Sequence, residues 1–391
     1  MEHAFSLTRR NLLLGGCCLA AAPLMSQVSF ASMPGENRFV TIILRGAMDG
    51  LYLVQPYGDP ALRSLRPDLA LSGDDGLIDL DGFFGLHPVA ADLMPLWKSG
   101  ELAFVHAVST PYRDARSHFD GQDMLETGEA TLNGLHSGWL NRSLSVIPSR
   151  ADRQALDVNM SSDLILTGPN PVGVWSSRSD LVMAEDEMQA LRRLYQNDPA
   201  FAAVMEEAAR TDKSAEAFYG DSKRGSSTVD VARLVGGMLL KEYRISNFSI
   251  TGWDTHVAQK QQFTKAATEL VQAITTLKAT LGEAAWAKTV VLVMTEFGRT
   301  VRQNGSGGTD HGTGGCCILA GGAVSGGKVY GEWPGLGGRK LLDDRDLMPT
   351  GDVREVAAAM LFKQFNIAPA DLTGTVFPGL SFDRNSALLR A

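Results

Sequence analysis

The chain has 391 residues, a formal net charge of −8 and 44% hydrophobic residues. That length supports one large α/β domain or two smaller ones. An acidic balance with no basic run of five or more argues against nucleic acid as a partner. Cysteine usage is thin: Cys17 and Cys18 lie near the N-terminus, and the neighbours Cys316 and Cys317 sit in an apolar Gly-Gly-Cys-Cys-Ile-Leu-Ala run. Neither a disulfide framework nor a cysteine zinc site is expected.

The first segment reads as an export signal. Thr8-Arg9-Arg10-Asn11-Leu12-Leu13 is a twin-arginine sequence, an apolar run continues to Leu24, and Ser29-Phe30-Ala31 is a small-x-small cleavage site. The apolar run is too short and too rich in Gly and Ala to span a bilayer well. The expectation is a twin-arginine signal peptide over residues 1–31 and a single domain over 32–391. The protein would then be periplasmic or secreted, with the twin-arginine export machinery as a partner and no stable membrane anchor after cleavage.

Five continuous apolar or β-branched runs predict buried strands: Phe39–Leu44, Leu102–Val108, Tyr243–Ile250, Thr289–Met294 and Cys316–Ala320. Helical patterns lie between several of them, at His87–Trp97, at Ser117–Glu126 and along the amphipathic stretch Val257–Leu281. Fully apolar strands alternating with helices imply an α/β fold with a mostly parallel sheet covered on both faces. Residues 129–227 differ. Short strand-like pieces (Leu156–Met160, Leu164–Leu166) precede a charged helical stretch, Asp180–Phe218, and a polar connection, Lys213–Thr228. This block is expected to be an inserted, cap-like segment.

The polar residues follow the strands. Arg45 to Asp49 follow the first, Arg116, Ser117 and His118 the second, Asp254 and His256 the third, and Glu296 and Arg299 the fourth; Asp310 and His311 come next in a glycine-rich loop. Ligands of open α/β sheets bind outside the carboxyl ends of strands, so these groups could share one crevice. Carboxylates and imidazoles suit divalent metals, and two metals about 4 Å apart can clamp an in-line displacement. Asp49, Asp254, His256, Glu296, Asp310 and His311 are the candidate ligands for one or two ions of Zn, Mn, Mg or Ca. Ser117 is a candidate nucleophile, with His118 beside it, and Arg45, Arg116 and Arg299 could hold a tetrahedral anion. Each has a plainer role open to it. Asp49-Gly50 is also a turn, Ser117 a helix N-cap, His118 a packed ring, and Glu296 a partner for Arg299. His87 and His106 read as structural, His136 is open, and Trp139, Trp253 and Trp333 suit a core as well as a pocket.

Five blocks carry a family resemblance: Leu44-Arg-Gly-Ala-Met-Asp-Gly-Leu51, Ser117-His-Phe-Asp120, Gly252-Trp-Asp-Thr-His256, Thr295-Glu-Phe-Gly-Arg-Thr300 and Gly308-Thr-Asp-His-Gly312. They resemble a bacterial exported family catalogued as domain of unknown function 1501, as do Gly326 to Pro334 and Phe377-Pro-Gly379. That family is similar to the alkaline phosphatase and sulfatase superfamily. The resemblance implies a three-layer αβα sandwich with metal sites and a hydrolase of a phosphate- or sulfate-type ester. Its substrate would be a small or polymer-linked anionic ester, attacked by Ser117 or by a metal-activated water. It further implies the nucleophile's role for Ser117, with Asp49 as the first-strand metal carboxylate; His118 and Arg299 are read as catalytic beside it. A non-catalytic binding or assembly protein retaining the fold is the alternative, and a phosphomutase-like transferase the third. Three features depart from the superfamily: the Asp-x-His spacing at 254–256, Glu-Phe-Gly-Arg in place of Asp-His-Gly, and no Cys-x-Pro-x-Arg or Ser-x-Pro-x-Arg. Formylglycine chemistry is therefore not expected.

Overall fold

The computed structural model describes residues 36–113, 116–132, 136–159, 163–176, 227–383 and 387–390, with a few isolated positions between 177 and 226. The expected signal segment over residues 1–31, and most of the charged stretch 180–218 and of the 213–228 connection, lie outside the described residues. None of the described helices is long and apolar enough to cross a membrane.

Nine strands form one sheet. In chain order they are β1 (Arg38–Leu44), β2 (Leu102–Ser109), β3 (Ala155–Val158), β4 (Gly173–Trp175), β5 (Ile245–Ile250), β6 (Thr289–Thr295), β7 (Gly315–Ala320), β8 (Lys328–Tyr330) and β9 (Gly351–Asp352). Their spatial order is β8–β2–β7–β6–β1–β5–β3–β4, with β9 beside the end of β2. β1 is central and parallel to both neighbours, from Phe39 against Ile245 to Leu44 against Thr295. Every residue of β1, β6 and β7 is buried, which explains their unbroken apolar runs. The fold is α/β with a mostly parallel sheet, as the strand–helix alternation predicts.

Helices cover both faces. The side chains of β1 alternate between two cores. Val40, Ile42 and Leu44 pack in one with residues of α3 (Thr228–Lys241) and α4 (Gln259–Trp286). Phe39 and Ile43 pack in the other with α2 (Trp139–Val146) and α5 (Val353–Phe365). The buried face of α4 carries Phe263, Ala267, Leu270, Ile274 and Leu277. Each large apolar side chain there contributes about 1.5–3 kcal/mol by leaving water.

Three expectations change. β7 runs antiparallel to β2 and β6, so its amino end, not its carboxyl end, lies at the edge where the parallel strands finish. The Asp310–His311 loop reaches that edge because it precedes β7. The described part of 129–227 is not a cap: β3 pairs with β5 and extends the main sheet, and α2 buries Trp139, Leu140 and Leu144 against it. Leu164–Leu166 is a short 3-10 turn, and His87–Trp97 divides into a 3-10 segment, Pro88–Leu93, and a short helix, Met94–Lys98. Pro88 and Pro95 explain that division, since each opens a helical segment and lacks the N–H that would continue one.

Candidate metal centre

At the edge where the parallel strands end, three histidines from different loops meet. His118 is the first residue of α1 (His118–Thr127), which Ser117 caps by accepting from the Asp120 N–H at 3.5 Å. His118 donates through Nδ1 to Glu296 Oε1 at 2.7 Å. Glu296 is buried just past β6 and also accepts from the Gly46 N–H (2.9 Å), Thr295 Oγ1 (2.9 Å) and Gln122 Nε2 (3.3 Å). Burial works to raise the Glu296 carboxyl, and these bonds outweigh it, leaving it below its usual range. The same His118–Glu296 bond pushes the imidazole above its ordinary value, with burial opposing.

His311 donates through Nδ1 to the Arg116 carbonyl at 2.8 Å, and burial lowers its pKa. His256 donates through Nδ1 to Asp310 Oδ1 at 3.2 Å, and Asn304 Nδ2 holds that oxygen at 3.1 Å. With each Nδ1–H engaged, the neutral ring presents an Nε2 lone pair. These lone pairs converge. His256 Nε2 and His311 Nε2 are 2.8 Å apart and lie 3.1 and 3.3 Å from Asp254 Oδ1. His118 Nε2 is buried without a hydrogen-bond partner, 3.5 Å from Asp254 Oδ2. Ligand atoms of His118, Asp254 and His311 all lie within 4.8 Å of one another. Facing lone pairs and a buried orphan nitrogen are unfavourable unless a cation sits among them. Carboxylate- or carbonyl-anchored imidazoles are also the usual support of metal ligands. The residues present fit a divalent ion. Phe297 closes the underside, its ring 5.2 Å from both His118 and His311.

Not every predicted residue takes the expected place. Asp310 and Glu296 hold the far nitrogens of His256 and His118. Asp49 stands apart: its Oδ2 accepts from Arg66 Nη1 at 2.8 Å and Gln259 Nε2 at 2.6 Å, in the interior. Its charge is paired with a buried guanidinium away from the histidines, and its Oδ1 is buried with no hydrogen-bond partner. Arg299 is also buried. It donates to the carbonyls of Gly46, Ala47, Trp253 and Thr309 and, at 2.6 Å, to Asp254 Oδ1. With its donors spent on the backbone, it cannot clamp a substrate anion. Its effect falls on Asp254. Burial works to raise that carboxyl, and Arg299 with two histidines outweighs it, leaving it below its usual range. Arg45 pairs with Glu126 and Asp163. Among the described residues, no hydrogen bond or ion pair joins Ser117 Oγ to the histidines or Asp254; Ser117 N donates to Tyr112 Oη.

The glycine-rich loop permits this convergence. A Cβ on Gly308 would lie 2.4 Å from the His256 carbonyl, and one on Gly312 2.4 Å from the Arg299 backbone. Sequence reasoning missed Arg66, Gln259, Gln122 and Asn304. Arg66 stands in Leu-Arg-Pro with nothing to mark it. Gln259 was hidden because it opens a helix whose remaining polar residues face solvent.

A family model described as "Protein of unknown function (DUF1501)" matches residues 106–373. The chain belongs to the DUF1501 family. Of the five blocks singled out above, this match spans four, from Ser117-His118 to Asp310-His311, and thus every member of the DUF1501 histidine cluster. Solved structures offer only a distant likeness. A mutant of TAB5 alkaline phosphatase with Mg bound in its M3 site aligns at a TM-score of 0.34 and 11% identity, over 76% of this chain and 94% of that one. A protein in the alkaline phosphatase superfamily from Vibrio parahaemolyticus aligns at 0.31 and 10%, over 74% of this chain and 61% of that one. The alkaline phosphatase from the Antarctic bacterium TAB5 aligns at 0.28 and 11%, over 74% and 92%. No curated protein matches this DUF1501 sequence.

Proposed function

We propose that this protein is an exported, metal-dependent hydrolase of a phosphate- or sulfate-type ester, with a single divalent ion held by His118, Asp254, His256 and His311. The observation that carries the reading is the convergence of three Nε2 atoms on one carboxylate, each ring fixed from behind. One ion is proposed because the three Nε2 atoms meet around the single Asp254 carboxylate, while Asp49 lies apart with Arg66. Three imidazoles favour a borderline ion such as Zn or Mn over Mg or Ca. When bound, such an ion supplies Lewis-acid polarisation of an ester oxygen.

The chain's own residues do the rest. Glu296, Asp310 and the Arg116 carbonyl set the ring tautomers. Arg299 keeps Asp254 ionised and oriented. Ser117, at the positive end of α1 and next to His118, is the proposed nucleophile, with water as the alternative. The twin-arginine signal over residues 1–31 and a periplasmic or secreted location belong to the same proposal, and cell fractionation tests them. One observation favours a second reading, a binding or assembly protein that keeps the centre without turnover: Ser117 Oγ makes no hydrogen bond to the histidines or Asp254 among the described residues.

The test is hydrolysis of 4-nitrophenyl phosphate, bis(4-nitrophenyl) phosphate and 4-nitrophenyl sulfate by protein purified from the periplasm. The proposal expects turnover of at least one ester, abolished by chelation and by His311→Ala. Metal-replete protein inert towards all three would favour the second reading.

A further inference from the structure

Asp310 faces two ways. Its Oδ1 supports His256, and the residue also lines a cavity of about 190 Å³ with Thr300, Arg302, Leu341, Asp344 and Arg345. That is space for several waters or for a group of a few heavy atoms.

The charges on this wall are unevenly committed. Asp310 already accepts from His256 and Asn304. Arg345 gives Nη1 to Asp346 Oδ1 at 2.9 Å, and Asp346 is fully buried, with its Oδ2 fixed by Arg116 and Thr313. Arg345 is thereby preset while its remaining N–H groups make no hydrogen bond among the described residues. Arg302 and Asp344 lie at the exposed mouth of the pocket, and their side chains have neither a hydrogen bond nor an ion pair among the described residues. The cavity therefore offers uncommitted guanidinium donors and one uncommitted carboxylate, above apolar contact from Leu341. A purely anionic occupant would leave Asp344 opposed, and a purely cationic one would oppose Arg302 and Arg345. A group carrying both signs satisfies both.

We propose that this cavity is a subsite for a zwitterionic group, an ammonium beside a carboxylate, borne on the leaving side of the substrate ester. The ammonium pairs with Asp344, and the carboxylate with Arg302 and Arg345. Asp310 is the wall shared with the metal centre, so the subsite begins one imidazole away from the Nε2 of His256. The link to hydrolysis rests on the function proposed above; the binding itself does not.

Isothermal titration of the purified protein with three probes tests it: O-phosphoserine, phosphoethanolamine (ammonium only) and phosphoglycolate (carboxylate only). O-Phosphoserine is expected to bind about tenfold tighter than either, the value of one charge-assisted hydrogen bond. Arg302→Gln should abolish its advantage over phosphoethanolamine, and Asp344→Asn its advantage over phosphoglycolate. His311→Ala should weaken all three together. Three probes binding within about twofold of one another, or ratios that neither substitution moves, would overturn the subsite. Intact ratios without turnover of O-phosphoserine would leave the subsite standing and remove the hydrolase reading instead.

Discussion

Replacing Asp49 with Asn separates a structural carboxylate from a metal ligand. Asp49 and Arg66 are each 1% exposed, and their 2.8 Å ion pair lies in the interior. Arg66 also donates to the carbonyls of Thr300 and Val301, at 2.7 and 2.9 Å. Asp49→Asn leaves the guanidinium buried without a counter-charge, a change that typically costs about 3–5 kcal/mol. The two carbonyl bonds survive, which points to the lower end, about 3 kcal/mol. With a urea m-value of about 3 kcal/mol/M, the unfolding midpoint should fall by roughly 1 M. Metal content should not change. Pairing Asp49→Leu with Arg66→Met removes both charges at similar volume and should recover most of the loss, a coupling that a double-mutant cycle reads directly. An unchanged midpoint with lost metal would refute the reasoning and restore Asp49 as a ligand.

Three further outcomes follow from the same geometry. Glu296→Gln should weaken metal affinity about 10–100-fold in chelator competition without altering stoichiometry, because it loosens the His118 anchor; unchanged affinity would mean His118 is not a ligand. Glu126, beneath Arg45, is pushed up to about 7 by burial, with Arg45 working against the rise. A raised folded value means its contribution to stability is fully present below 4.5 and lost as pH climbs through 7, a difference of about 3 kcal/mol. Chemical denaturation between pH 4 and 8 should show that decline, and Glu126→Gln should flatten it; an identical slope in the variant would contradict the assignment. Ser117→Ala should cost only about 1 kcal/mol as a lost helix cap, yet abolish any ester turnover; full activity in the variant would transfer the nucleophile's role to water.

Much of this architecture is legible in the chain. β1, β2, β6 and β7 are marked because burial on both faces leaves them mostly apolar or β-branched; β5 carries Ser246, Asn247 and Ser249 and is marked only by its flanking isoleucines and Phe248. Their direction is not marked. An apolar run reads the same either way, so the antiparallel β7 is invisible, along with the reason its preceding loop joins the site. The short edge strands β3 and β4 were obscured because three or four residues show no periodicity. Asp254, His256 and His311 stood out by spacing, and His118 by its place at a helix start. Asp49 and Arg299 have buried partners that spacing does not reveal. A strand-end carboxylate looks the same whether it faces a metal or a guanidinium, and Arg66 reaches Asp49 across a loop that no local pattern announces. Whether Glu296 and Asp310 bind an ion or steady an imidazole is likewise set by side-chain direction, which spacing does not encode.

The most direct test of the central claim is the metal content of the purified protein. The account predicts close to one equivalent of a divalent transition ion, lost in His311→Ala and Asp254→Asn and retained in Asp49→Asn. No bound ion, or two equivalents of which one disappears with Asp49→Asn, would contradict it.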